Sequence, residues 1–209
     1  MRIERLEFTD FRAISHGEFV LDGKSTILFG ANGTGKSSVL KGINLLYANI
    51  INQIVNRKEL KSRYPMKLED ITFGKTETCV KAEFSLDKEK IEYHRGMTRK
   101  TGKGFQNSKN LSKIAATFQD KYFSDERQDD IPVFVNYGTN RLVLDIPLRI
   151  RTHHEFDIYS AFEQAIENQI SFRTFFEWYR NQEDYENQCK IEQNNLEYKD
   201  KSLEAVRTN

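Results

Sequence analysis

The stretch Gly30-Ala31-Asn32-Gly33-Thr34-Gly35-Lys36-Ser37-Ser38 constrains this chain more than any other. Positions 30–37 satisfy G-x-x-x-x-G-K-[ST], in which glycines let the backbone curl so that its N–H groups converge on a phosphate. The lysine adds a point charge reaching the β- and γ-phosphates, and the hydroxyl that follows suits a Mg²⁺ ion bridging the same oxygens. A helix must follow, because its N-terminal N–H groups and dipole favour the same anion. Both flanks agree. Residues 26–29 read as a strand, and after Lys36 the apolar residues Val39, Leu40, Ile43, Leu46, Tyr47, Ile50, Ile51 and Ile54 recur at helical spacing. The expected ligands are ATP and Mg²⁺. Gly30, Asn32, Gly33, Thr34, Gly35, Lys36, Ser37 and Ser38 are the predicted nucleotide-binding residues, with Ser37 a metal ligand.

The rest of the chain places this loop in an α/β fold with a β-rich start, a side β-meander and a C-terminal helical extension. RIERLEFTDF (2–11) alternates apolar and charged residues, GEFVLDG (17–23) follows, and TCVKAEFSL (78–86) and KIEYHR (90–95) form the meander. Residues 96–113 hold almost nothing to bury and read as an exposed loop, whereas IPVFVNYG (131–138) has the profile of a strand covered on both faces inside the main sheet. From Glu155 onward Phe156, Tyr159, Phe162 and Ile166 keep one helical face apolar, continued by Phe172, Phe175, Phe176 and Tyr179. Beyond Arg180 the apolar positions thin to a narrow stripe that needs a partner. The expected organisation is a lobe over 1–150, with a strand-rich insertion at 58–130, and a helical extension over 151–209.

Charge excludes a chain drawn bodily to polyanions: 32 basic side chains nearly cancel 31 acidic ones. Any nucleic-acid contact must be local. Arg95, Arg99, Lys100, Lys103, Lys109 and Lys113, with Phe105 among them, offer such a patch or simply a solvated loop. Cys79 and Cys189 have no metal-ligand spacing and fit a reducing, cytoplasmic setting, and no signal peptide or membrane-length apolar run is expected. His153-His154 point apart and read as surface residues. The aromatic cluster from Phe172 to Tyr179 fits either a partner surface or a core.

Hydrolysis needs a second carboxylate on Mg²⁺ and a group to orient water. Leu142-Val143-Leu144-Asp145 is the nearest look-alike of the required strand, but Ile146-Pro147 follows, no Glu is available, and a solvated Asp is the better reading. No catalytic residue is assigned, and this chain alone is expected to bind nucleotide without hydrolysing it.

The opening pattern Ile3, Leu6, Phe8, Phe11, Arg12, followed by the G-x-N-G-x-G-K-S-S loop, resembles the N-terminal lobe of ABC-type ATPases of the SMC and RecF group, over residues 1 to about 55. The resemblance implies a P-loop NTPase lobe of ABC/SMC type, with ATP between two protomers in a head-to-tail homodimer. Arg12 then faces the nucleotide, or makes a surface salt bridge. A second resemblance rests on Tyr137-Gly138-Thr139-Asn140-Arg141, Ile146-Pro147-Leu148-Arg149-Ile150-Arg151, Phe175-Phe176-Glu177-Trp178-Tyr179-Arg180, Glu183-Asp184 and Leu203-Glu204-Ala205-Val206-Arg207. These look like the ATPase subunit of Septu-type and retron-associated bacterial anti-phage defence systems, where the ATPase works beside an HNH nuclease.

That resemblance implies that Asn140, and less directly Asn136, approaches Mg²⁺ and the γ-phosphate; a turn-capping role for Asn140 stands beside it. The family's signature loop, Asp-Glu strand and switch His do not occur before Asn209, so the catalytic second lobe is expected to be absent from this chain. The functions implied are gating of a nuclease in anti-phage defence, a nucleotide-bound scaffold, or a DNA repair and recombination ATPase; a compact P-loop kinase is the rival outside the family.

Overall fold

Strict alternation builds the sheet. A computed structural model describes residues 1–55, 64–86, 89–123, 134–137 and 172–208, in two compact units, Met1–Phe134 and Val135–Asn209. In the first, β1 (Arg2–Phe11) and β2 (Ile14–Val20) form a hairpin, and β3 (Glu77–Leu86), β4 (Glu89–Thr98) and β5 (Gly104–Gln106) extend it on the other side. The order is β2-β1-β3-β4-β5, each neighbouring pair antiparallel. Leu6, Phe8, Val80, Ala82, Phe84, Ile91 and Tyr93 are buried on the inner face. The outer face is laced by Arg5 to Glu7 at 3.0 Å and Glu18 at 2.9 Å, and by Lys81 to Glu7 at 3.0 Å and Glu92 at 3.3 Å. Such exposed pairs contribute about 0–1 kcal/mol each, so burial of the other face carries the stability.

Helix α1 (Lys36–Val55) lies on that inner face. Its approach depends on Gly42: a Cβ there would stand 2.3 Å from a ring carbon of Phe8 and 3.3 Å from Val80. Helix α2 (Ser108–Phe123) packs beside α1 through Leu111, Ile114, Ala115 and Phe118, one face at i, i+3, i+4 and i+7. Asn107 caps it, its side-chain oxygen accepting from Asn110 N at 3.1 Å.

Three expectations are corrected. Residues 26–29 run without regular secondary structure, in no ladder with any described strand; Ile27 and Phe29 are 86% and 92% exposed while Leu28 packs on the core. The described part of 131–138, Phe134–Tyr137, is not a strand either. Phe134 sets its ring 4.7 Å from that of Tyr47 instead. Nor are residues 96–113 an exposed loop: β4 continues to Thr98, β5 pairs Phe105 with Gly96, and α2 begins at Ser108. Gly96 permits this pairing, since a Cβ there would lie 2.1 Å from the Phe105 ring.

In the second unit, α3 (Phe172–Glu192) and α4 (Lys201–Arg207) pack together. Asp200 caps α4, accepting from Ser202 N and Leu203 N. Leu203 is fully buried and Cys189 nearly so, so α4 supplies part of the cover that the narrow apolar stripe requires. Glu186 receives Lys190 Nζ at 2.7 Å, Asp200 N at 2.9 Å and Arg207 Nη1 at 3.3 Å. These donors, Lys190 first, hold its carboxyl down at about 2. Among the described residues no helix is long and apolar enough to cross a membrane. The sequence boundary at 150, Asp145 and His153-His154 lie outside the described residues.

Candidate phosphate-binding site

The loop from Gly30 to Gly35 enters α1 at Lys36. Gly33 and Gly35 have φ of +86° and +95°, a region that side chains with a Cβ rarely enter. Around Gly33 nothing would meet a Cβ within 4 Å, so there the need for glycine is conformational; at Gly35 the Ile14 side chain, 3.3 Å away, adds a steric one. Ile14 opens β2, so the hairpin buttresses the loop. Thr34 Oγ1 donates to Ala31 O at 3.0 Å, closing the turn.

Lys36 Nζ donates to Gly30 O at 2.8 Å and Ala31 O at 2.7 Å, which fixes the ammonium against the loop backbone. Val39 N bonds to Gly35 O at 3.0 Å as the helix opens, so the N–H groups of Lys36, Ser37 and Ser38 have no acceptor inside it. No acidic residue occupies the first turn. These N–H groups, the helix dipole and the ammonium together make a place for an anion. Ser37 is exposed beside them, and Ser38 is buried.

The hairpin tip stands next to this turn. Arg12 adopts φ +54°, a left-handed conformation that costs about 1–2 kcal/mol for a residue with a Cβ. It is held there from both sides: Arg12 N donates to Asp70 O at 2.8 Å, and Thr72 Oγ1 donates to Arg12 O at 2.9 Å. Asp70 is fully buried; its carboxylate takes Lys41 Nζ at 2.6 Å and Lys67 N at 3.0 Å, with Arg12 Nε at 3.8 Å. One carboxylate thus ties α1, the hairpin tip and the 3-10 turn Leu68–Asp70 together. Sequence reasoning missed Asp70, whose only signal is an acidic residue at the end of a short turn.

Arg12 and Ser38 line one cavity of about 610 Å³, together with Ala13, Leu68, Phe73 and Arg99 among others. The structure therefore places Arg12 and Ser38, at the first turn of α1, on the same cavity. Asn32 and Thr34 are exposed on the loop. Asn140 lies outside the described residues, and Asn136 is half-buried in the second unit. In the basic stretch Arg95 donates to the carbonyls of Leu45 and Tyr64, Arg99 to those of Lys75 and Ile71, and Lys113 pairs with Glu89. Lys100, Lys103 and Lys109 remain exposed.

A family model described as an AAA domain matches residues 5–204, from within β1 through the loop, the other described strands and both helices of the first unit. The chain belongs to the AAA domain family. As an AAA domain it is a P-loop ATPase type of unit, nucleotide-binding, with ATP the nucleotide the family implies. No curated protein matches the chain. The geometry of this AAA domain fits the ligand: a curled loop whose glycines take positive φ, helix N–H groups free of intrahelical acceptors, an ammonium and a hydroxyl.

Proposed function

We propose that this AAA domain grips the triphosphate of Mg-ATP with Gly30–Ser38 and works in the manner of SMC and RecF ATPases. The observation that carries the reading is the loop itself, with Gly33 and Gly35 at positive φ and Lys36 Nζ fixed over the carbonyls of Gly30 and Ala31. Ser37 Oγ is the hydroxyl that would hold Mg²⁺, with Asn140 a second ligand, and the ion would supply positive charge to the triphosphate. The backbone N–H groups of Lys36, Ser37 and Ser38 bind and orient the phosphates, and Lys36 holds the γ-phosphate. The nucleoside then occupies the cavity lined by Arg12, Leu68 and Phe73, whose apolar walls suit a base.

The finer reading rests on two resemblances: the opening I-x-x-L-x-F-x-x-F-R pattern with the Asn-Gly of the loop for the dimer, and Tyr137-Gly138-Thr139-Asn140-Arg141 with the segments after it for the nuclease partner. A second copy completes the site head to tail, and closure of that dimer gates an HNH-type nuclease in anti-phage defence. A scaffold that keeps its nucleotide, a DNA repair ATPase, and nucleic-acid contact through Lys100, Lys103 and Lys109 are the neighbouring readings. Single-turnover assays on the intact protein test the hydrolytic part. Phosphate release above that of Lys36→Ala supports an ATPase cycle, and release equal to it leaves the scaffold reading in its place.

A further inference from the structure

The chain leaves β1 through two left-handed residues, Asp10 at φ +48° and Arg12 at φ +54°, on either side of the fully buried Phe11. A residue with a Cβ stays in that region only where its surroundings hold it. One residue fastens both. Thr72 donates its N–H to Asp10 O at 2.9 Å and its hydroxyl to Arg12 O at 2.9 Å. Between these bonds Phe11 bridges Ile71 in antiparallel fashion, and Arg12 N donates to Asp70 O at 2.8 Å. Among the described residues the Thr72 hydroxyl makes the only side-chain hydrogen bond of this seam.

The turn that carries Thr72 is itself braced. Lys75 N donates to Thr72 O at 3.0 Å, and Arg99, just past the end of β4, donates to Ile71 O at 3.2 Å and Lys75 O at 2.9 Å. The Asp70 carboxylate takes Lys41 Nζ of α1 at 2.6 Å. Thr72 therefore transmits to the hairpin tip a position set by β4 and α1.

What the tip presents is the Arg12 side chain, 39% exposed. Its Nε stands 3.8 Å from Asp70 Oδ1, beyond hydrogen-bond range, and among the described residues the guanidinium donates no hydrogen bond. Both Nη groups are thus available to an anion as a fork. Arg12 shares its cavity with Ser38, at the first turn of α1, whereas Thr72 is not among the lining residues. Any effect of the Thr72 hydroxyl on a ligand there must pass through Arg12.

We propose that Thr72 is a positioning residue of the nucleotide site: by fastening the carbonyls of Asp10 and Arg12 it fixes the left-handed tip and so aims the Arg12 fork at the phosphates. This rests on the reading of Gly30–Ser38 as the grip for Mg-ATP. The hydroxyl bond is exposed, so water takes its place when the hydroxyl is lost and stability changes little. What is lost is the hold on the Arg12 backbone.

Thr72→Val keeps the shape of the side chain and removes the hydroxyl. Calorimetry with Mg-ATP on the full chain is expected to show binding about threefold to tenfold weaker, at a thermal midpoint within about 2 °C of the native one. Thr72→Ser restores the hydroxyl and should bind within about twofold of native. Arg12→Ala should lose about tenfold or more, and adding Thr72→Val to it should cost nothing further, a dependence that a purely structural hydroxyl would not show. Should valine disturb the turn, Thr72→Ala reads the same loss. The proposal is overturned if the variants without the hydroxyl bind Mg-ATP as the native chain does, if Thr72→Ser binds no better than they do, or if their loss persists in full beside Arg12→Ala. Native binding that Lys36→Ala weakens and Thr72→Val leaves alone contradicts this assignment only; a native chain that binds no Mg-ATP contradicts the phosphate-loop reading as well.

Discussion

Lys36→Ala is expected to weaken Mg-ATP binding about 10- to 100-fold, because it deletes a charge-assisted donor from a site where no other side-chain cation of the loop can substitute. The fold should survive. Among the described residues Lys36 Nζ bonds only to Gly30 O and Ala31 O, both on the exposed loop, so the thermal midpoint should move by about 2 °C or less. The expected signature is therefore a large loss of affinity on an intact scaffold. Titration calorimetry beside a thermal melt reads both quantities. Unchanged affinity would mean that the ammonium does not reach the nucleotide.

The second large effect concerns the seat of α1. Phe8 is fully buried on β1, an interior strand of the sheet, with its ring against Phe11 at 5.7 Å and Phe19 at 5.9 Å. Phe8→Ala should cost about 3–5 kcal/mol, a large share of the 5–15 kcal/mol typical of a domain. Gly42 gives a sharper test, because alanine there gains about 1 kcal/mol of helix propensity and is opposed by about 1–3 kcal/mol of overpacking. The clash is chiefly with two Phe8 ring carbons, 2.3 and 2.9 Å from the added Cβ, with Val80 next at 3.3 Å. Gly42→Ala should therefore destabilise the native chain and become neutral or stabilising in a Phe8→Leu background. Urea unfolding of the four proteins in this cycle measures the reversal. Additive effects would mean that helix and strand do not meet at this pair.

Most of the first unit was legible because periodicity there is uninterrupted. Leu6, Phe8 and Phe11 mark β1, the alternation from Thr78 to Leu86 marks β3, and Val39 to Ile54 mark α1. The loop was legible residue by residue, since glycine placement reports φ directly. Failures came where a local pattern depends on partners elsewhere in the chain. Residues 26–29 have the β-branched and aromatic composition of a strand, yet a strand is a ladder, and no described strand pairs with them. The start of α2 was hidden by lysines, although Leu111, Ile114, Ala115 and Phe118 keep a helical period and Asn107 is a proper cap. Lysine on the solvated face of an amphipathic helix looks, in sequence, like lysine in a loop.

Polar residues in and beside the core were the least legible. Asp70, Asn49 and Arg95 take their roles from neighbours 29, 57 and 50 residues away, Lys41, Gln106 and Leu45 respectively. No windowed pattern carries that information. Arg95 counted among the basic residues of a surface patch and proved to be an inward-facing member of β4. Alternation from Ile91 through Tyr93 to Arg95, within the segment 90–95 that reads as a strand, held the clue.

Amide chemical shifts on the labelled chain test the phosphate cradle most directly. Adding Mg-ATP should move the N–H resonances of Gly33, Gly35, Lys36, Ser37 and Ser38 together, and adenosine without phosphates should leave them in place. ATP binding that leaves those resonances still, or moves them no more than adenosine does, would contradict the account.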